Sequence, residues 1–424
     1  MRQGFALAKT ANQPHSRGFS FGETRVGYEK IRLIVTERRA MRNPIKSTLL
    51  NSTAPIHLIP KFVLTGGPCA GKTTAKEYLQ EKLRDYGFTP FFIPEIPTEF
   101  ILNGITPDAN GFTRDQFQEL LVQEVLRREA IYTRMIRRSS APNKVIICDR
   151  GIMDVLAYSD PELFFFWLDK HGGLERLNAR DERYDAVFHL VTAAQGAEEF
   201  YTLGNNKARI ETLSEARKMD IRTLDAWKNH EHVHIIDNST DFAGKMRRLL
   251  QKMCHQLGIP VPLEIERKFL VEAPDLKKIP IQVEAVNLEQ AYLISADQSI
   301  SRRIRKREQD GACMFLETNK QSVRPRVRVE RQWPITKNQY LTSLAYEQDP
   351  ECVPIHKKRF CFPWEYQYFA LDSFEKPDWV RGLWILEIEL TEEQQEVKLP
   401  SFLNIIKEVT DDPAFTNSEL ARKR

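Results

Sequence analysis

The stretch KFVLTGGPCAGKTTAKEYLQEKL, residues 61–83, decides how the first half of the chain is read. Gly66, Gly71, Lys72 and Thr73 fall at the spacing G-x-x-x-x-G-K-[ST], after an apolar run with strand character and before a helix-like run. That order predicts a phosphate-binding loop made of Gly66, Gly67, Pro68, Cys69, Ala70 and Gly71, with Lys72, Thr73 and Thr74 opening the helix. Backbone N–H groups and the positive helix end would face phosphate oxygens. Lys72 would reach the β- and γ-phosphates, and the Thr73 hydroxyl would hold Mg²⁺. No N/T-K-x-D base-reading motif occurs, so GTP and ATP stay equal candidates.

Working outward, short apolar runs alternate with helix-like stretches from about 58 to 256. HLIPKFVLTG, FTPFFIPE, NKVIICDRG, YDAVFHLVT and HVHIIDNS read as strands, each bounded by Gly, Pro, Asn or Asp. TRDQFQELLVQEVLRREAIYTRMIRR, between two of them, has its apolar residues at helical spacing. Strands alternating with helices predict a parallel sheet flanked by helices. VIICDRG (145–151) ends a buried strand in Asp149, placed to bind Mg²⁺ as Walker B acids do. Arg150 could grip a phosphate or the acceptor. Glu95 also ends a strand and could accept a hydroxyl proton. Residues 205–218 read as a lid, with Arg209 the residue to close over phosphates. Cys69 is read as a small filler whose oxidation would block nucleotide binding.

LGIPVP (257–262) brings one Gly and two Pro and reads as a linker. Beyond it the texture is short and alternating: about eight strands, at 263–271, 286–294, 299–308, 312–320, 324–333, 353–362, 366–374 and 382–390. That number suffices to close a small antiparallel barrel. Segments 335–346 and 401–409 read as helical. The expected organisation is a basic tail at 1–57, an α/β unit at 58–256, the linker, and a β unit at 263–424.

The strands of the last unit carry charge at every second position, hence on one face. PLEIERKFLV (262–271) aligns Glu264, Glu266 and Lys268; SRRIRKRE aligns Arg303, Arg305 and Arg307. LETNK adds Lys320, RVRVERQ adds Arg328 and Glu330, HKKRF adds Lys357 and Arg359, and LWILEIEL adds Glu387 and Glu389. A solvated charged face would not explain acids at both ends of the unit with basic strands between them. A barrel with these faces turned inward would, because buried charge must be paired or bound. Its ligand would be a polyanion such as triphosphate, held by Lys268, Arg303, Arg305, Lys320, Arg328, Lys357 and Arg359. Glu264, Glu266, Glu387 and Glu389 would hold Mg²⁺ or Mn²⁺, able to activate water.

The E-x-E-x-K run, the basic strands, EIEL and the terminal KEVTDDPAFTNSELA make residues 263–424 resemble the CYTH, or triphosphate tunnel metalloenzyme, superfamily. One departure stands out: where many members read R-x-E-x-E, this chain reads Arg328-Val329-Glu330-Arg331-Gln332, one carboxylate short. The first half is similar to the P-loop domain shared by nicotinamide riboside kinases and the TRPL translocation defect proteins. The order of the two units resembles the latter group. That resemblance implies GTP binding, acidic phospholipid binding at a membrane surface, and a role in membrane-protein trafficking.

Bulk numbers frame these readings. With 424 residues, 42% hydrophobic and 28% charged, the chain is long enough for two cores. Six cysteines without a CxxC pair suit a reducing compartment. No apolar run reaches the ~20 residues of a membrane helix, and LFFFWL (163–168) reads as core or pocket. Residues 1–50 hold ten Lys/Arg against three Asp/Glu, the composition of a disordered basic tail or a mitochondrial targeting peptide. The expected location is cytoplasmic, with peripheral membrane association. No basic strip interleaved with aromatics appears, so nucleic acid is not an expected partner. Two functions remain open. One is a nucleotide-binding regulator whose tunnel takes a phosphorylated small molecule or headgroup. The other is a small-molecule kinase fused to a metal-dependent triphosphatase.

Overall fold

The computed structural model describes residues 59–201, 212–259, 265–297, 299–324, 327–390 and 395–424. The tail 1–57, Arg209 and Glu264 lie outside the described residues, as do positions 260–262 of the expected linker and the side chain of Arg328.

Five parallel strands form the first sheet: β1 (Lys61–Thr65), β2 (Thr89–Ile93), β3 (Lys144–Asp149), β4 (Ala186–Leu190) and β5 (Val233–Ile236), in the order β2-β3-β1-β4-β5. Each lies within one of the runs expected from sequence. These strands are nearly continuous hydrophobic runs because both faces of the sheet are covered. Val63 of β1 packs with Phe117, Leu121 and Trp167 on one face, while Phe62 and Leu64 pack with Leu79, Leu249 and Met253 on the other. The covering helices are α1 (Lys72–Asp85), α2 (Pro97–Leu102), α3 (Arg114–Arg138), α4 (Pro161–Gly172), α5 (Leu213–Ala226) and α6 (Phe242–Gln256). Thr113 caps α3 reciprocally with Gln116, which fixes where that helix starts. LFFFWL lies in α4 and buries Phe164, Trp167 and Leu168 in the core.

The second sheet has nine strands, one more than the eight expected: β6 (Ile265–Val271), β7 (Val286–Leu293), β8 (Ile300–Gln309), β9 (Ala312–Arg324), β10 (Val327–Pro334), β11 (Ile355–Trp364), β12 (Gln367–Lys376), β13 (Trp384–Leu390) and β14 (Ile405–Glu408). All its pairings are antiparallel, in the order β10-β9-β8-β7-β11-β12-β13-β6-β14. The extra strand, β14, corrects the helix expected at 401–409. There Ile405, Lys407 and Glu408 pair with the edge of β6, and Glu408 binds Arg267 at 2.6 Å. The helix expected at 335–346 is present as α7 (Lys337–Tyr346), and a short α8 (Asn417–Ala421) follows β14.

Among the described residues, β10 and β14 are the hydrogen-bonded edges of this sheet. It nevertheless curls. Glu330 on β10 and Glu389 on β13 stand six strand spacings apart, roughly 29 Å in a flat sheet, yet they line the same cavity. Alternation divides the faces. Phe269, Phe360, Phe362, Phe369, Leu371, Leu386 and Ile388 form an apolar core, and Lys268, Arg359, Asp372 and Glu387 occupy the face opposite.

Candidate functional site

The nucleotide loop sits where β1 gives way to α1, at the C-terminal edge of the parallel sheet, the usual ligand edge of such sheets. Gly66 has φ 138° there, and a Cβ on it would lie 2.1 Å from the Leu190 carbonyl oxygen. Only glycine fits. Cys69 is left-handed at φ 57°, part of the same tight turn. The Gly67 N–H donates to Asp220 Oδ1 on α5 at 2.6 Å, and His189 Nε2 stands 3.2 Å from the same oxygen in a fully buried pair. Lys72 Nζ folds back to the Gly66 carbonyl at 3.2 Å. Lys245 of α6 supports the loop from below, donating to the Ala70 and Val191 carbonyls and to Asn238. Thr73 and Thr74 are exposed on the first turn of α1.

Asp149 is the last residue of β3. Lys76, one helical turn beyond Lys72, holds its Oδ2 at 2.6 Å, while its Oδ1 is buried with no hydrogen-bond partner. Arg150 turns the chain sharply at φ 68°, and its Nε donates to Glu95 Oε1 at 2.7 Å. Thr98 donates to the other Glu95 oxygen at 3.1 Å. Burial alone would raise the Glu95 carboxyl, but Arg150 and Lys72 hold it down at about 2. Lys72 is lowered from its usual value by burial and by Arg150, with Glu95, Asp149 and Asp154 opposing. Asp154 is buried, accepts from the Gly151 N–H at 2.7 Å and from the Thr65 hydroxyl, and has its pKa raised by that burial.

Lys72, Asp149, Arg150 and Glu95 are therefore gathered at one sheet edge. Lys76, Asp154 and Asp220 were not foreseen. Lys76 had a signal, one turn after Lys72 on the same helix. Asp220 had none, because it reaches the loop from 153 residues away.

In the second sheet the charges face one another in pairs. Lys268 Nζ lies 2.9 Å from Glu387 Oε1 and 3.4 Å from Glu266, and Arg359 Nη2 lies 2.7 Å from Glu387 Oε2. Arg359 also forks onto Asp372, Nε to Oδ1 at 2.7 Å and Nη2 to Oδ2 at 2.6 Å, while Lys357 meets Asp372 at 2.6 Å. Arg303 and Lys320 share Glu330, at 2.8 and 3.3 Å. Two cations hold Glu330 down at about 2 against its burial. Burial, aided by Arg359, drops Lys357 to about 8 despite Asp372. The Nε–H groups of Arg303, Arg305 and Arg307 are buried and lack partners.

Asp372, fully buried, is the key acid that sequence reading passed over. Its position is of the opposite parity to Phe369 and Leu371, which was its one signal. Glu389, expected to hold metal, instead pairs with Lys252 of α6 at 2.5 Å. Glu387 has a cation on each oxygen. Among the described residues no cluster of three or more His, Cys, Asp or Glu could hold a metal ion. Glu266, Glu387 and Glu389 are each paired with a cation, and Glu264 lies outside the described residues.

Residues 61–261, which contain the whole parallel sheet, match the AAA domain family. Among solved structures, the chain is similar to an inorganic triphosphatase at 27% identity and TM-score 0.29, covering 39% of this chain and 97% of that one. It is also similar to a Pyrococcus horikoshii protein at 17% identity and TM-score 0.24, covering 31% and 80% of the two chains. A third is a Hippeastrum protein with a dominant triphosphatase activity, at 15% identity and TM-score 0.21, again covering 31% and 80%. No curated protein matches the chain. The chain thus joins a half that matches the AAA domain model to an antiparallel half lined with paired charge. No described helix is long and apolar enough to cross a membrane.

Proposed function

We propose that this protein binds a purine nucleoside triphosphate with Mg²⁺ at the loop 66–74 and a polyphosphate in the antiparallel half, the first site being kinase-like. The observation that carries the reading is the buried, unpartnered Asp149 Oδ1 at the same sheet edge as Lys72 and the exposed Thr73. That donor set suits Mg²⁺, which when bound would neutralise phosphate charge. Lys72 leaves the Gly66 carbonyl for the phosphates, and Lys76 covers Asp149 until a cation replaces it. Glu95 is ionised at neutral pH and firmly paired, so it orients an acceptor hydroxyl better than it removes its proton. That geometry favours phosphoryl transfer to a small acceptor over an acceptor-free switch.

The antiparallel half is proposed as a binding site. Its buried guanidinium N–H groups without partners await acceptor oxygens, as phosphates provide. Hydrolysis is not proposed, because the described acids are held by cations and Gln332 stands at a family carboxylate position. The decisive experiment is thermal melting of the full chain with Mg-ATP, Mg-GTP or inorganic tripolyphosphate. Ligand at a hundredfold its Kd adds about 2.7 kcal/mol, a visible shift. Shifts by either nucleotide with Mg²⁺, and separately by tripolyphosphate, are expected; their absence would refute the corresponding site. Sedimentation with phosphatidylserine vesicles asks whether a lipid headgroup competes for the second site.

A further inference from the structure

The two halves meet through charge at the N-terminal ends of β4 and β5, the sheet edge opposite the nucleotide loop. The connection from α5 to β5 carries Glu231, and a short π-helical segment before β4, Asn178–Glu182, carries Asp181. Glu231 forms ion pairs with Arg305 and, at 3.4 Å, with Arg307; Asp181 meets Arg307 at 2.9 Å. Arg307 also donates to the Asn229 carbonyl at 3.0 Å, and Arg180 donates to Gln309 at 2.8 Å. Arg305 and Arg307 are 5% and 1% exposed, so these acids are their counter-charges in a place water scarcely reaches. A cavity of about 130 Å³ lies beside them, lined in part by Glu231, His232, Glu330 and Glu389.

Along β8 the arginines 303, 305 and 307 share one face, but their anions differ in origin. Arg303 is neutralised by Glu330 of its own sheet. Arg305 and Arg307 are neutralised by the nucleotide-binding half. From this division we infer that Glu231, with Asp181, is a resident counter-anion that competes with polyphosphate for the Arg305–Arg307 end of the basic interior. A polyphosphate therefore gains those two arginines only when the α5–β5 connection withdraws. Paired buried charges are costly to separate, so Glu231 limits how deeply and how tightly a polyanion seats. This deepens the polyphosphate reading above and rests on it.

The test compares the full-length protein with its Glu231→Gln variant, which keeps the side-chain shape and removes the charge. Without ligand, the variant should melt below wild type, since buried Arg305 loses its anion and buried Arg307 keeps only Asp181. With inorganic tripolyphosphate its melting shift should exceed that of wild type, and its Kd should fall by about tenfold, the scale of a charge-assisted contact regained. Equal shifts and equal Kd values in the two proteins would reduce Glu231 to a structural ion pair and overturn the inference, leaving the polyphosphate site intact. No shift in either protein would remove the polyphosphate site itself. Should Glu231→Gln fail to fold, Asp181→Asn, which removes the nearer anion of Arg307 and the partner of Arg180 while leaving Arg305 paired, is read by the same comparison.

Discussion

The loop 66–74 and the charged interior of the second sheet, both proposed above as phosphate sites, are built by opposite means. At the loop, charged side chains surround the turn, but the donors proposed for phosphate are mainly backbone N–H groups at the start of α1. Lys72 rests on a carbonyl, and Asp220 holds the Gly67 N–H. In the antiparallel half, side chains do nearly everything, and each cation described above already faces an acid. Glu387, Asp372 and Glu330 come from the sheet itself, and Glu231 and Asp181 from the other half. A loop of backbone donors costs little when empty. An interior of guanidinium groups must carry its own anions or fail to fold.

Breaking that arrangement should be most costly at Asp372. Asp372→Asn leaves buried Lys357 without its main partner and half-buried Arg359 with only Glu387. A loss of roughly 3–5 kcal/mol in urea unfolding is expected, the usual cost of orphaning a buried charge. Tripolyphosphate should restore part of it. No change in stability would mean that the interior is wetter than the structure indicates.

Lys72→Ala comes next. It removes one charge-assisted contact to phosphate and should weaken Mg-nucleotide binding by about 2–3 kcal/mol, near a hundredfold in titration calorimetry. Because Lys72 supports no core, melting without ligand and the tripolyphosphate response should stay as in wild type. A matching loss of tripolyphosphate binding would show that the two sites are one.

This contrast also explains what could be read in advance. The loop's chemistry is contiguous: Gly66 to Thr73 carry spacing, turn and helix start within one segment, and β1 and β3 announce themselves as apolar runs ending at Thr65 and Asp149. The second sheet is legible one strand at a time, through alternation, and that sufficed to place Lys268, Arg303, Lys357, Arg359 and Glu387 on one face. Partner choice was not legible. Which acid meets Arg307 depends on a turn more than a hundred residues earlier, and no periodicity encodes that. Glu389 shows the limit, since it shares a face with Glu387 yet belongs to Lys252 of α6. The missed strand β14 is a similar case: four residues acquire extended structure only because β6 offers them an edge.

A gentler probe of the loop is Gly67→Ala. A Cβ there would come within 2.7 Å of Asp220 Oδ1 and 2.8 Å of Asp220 Cβ. Either α5 or the loop must shift, at about 1–2 kcal/mol for an overpacked contact. Nucleotide affinity should fall roughly tenfold or less, and the change should spare the antiparallel half. Unchanged affinity would show that Asp220 does not set the loop's shape.

The smallest expected effect is the most specific to the charged interior, and it depends on pH. Lys357 is surrounded by Asp372, Arg359, Glu387 and Asn417, and burial places it at about 8. In the unfolded chain a lysine titrates near 10.4. Between these values the unfolded state binds more protons, so this group's contribution to stability rises as pH climbs from about 8 to about 10.4. Tripolyphosphate binding must run the other way, because the folded protein loses a phosphate-facing cation above pH 8. One proton limits that fall to about tenfold per pH unit. Lys357→Arg, charged throughout, should flatten the binding slope while leaving the nucleotide loop's own pH dependence as it is. If wild type and variant lose tripolyphosphate affinity in parallel above pH 8, the titrating group is not Lys357, and the cations of the interior are better neutralised than the pairing at Asp372 implies.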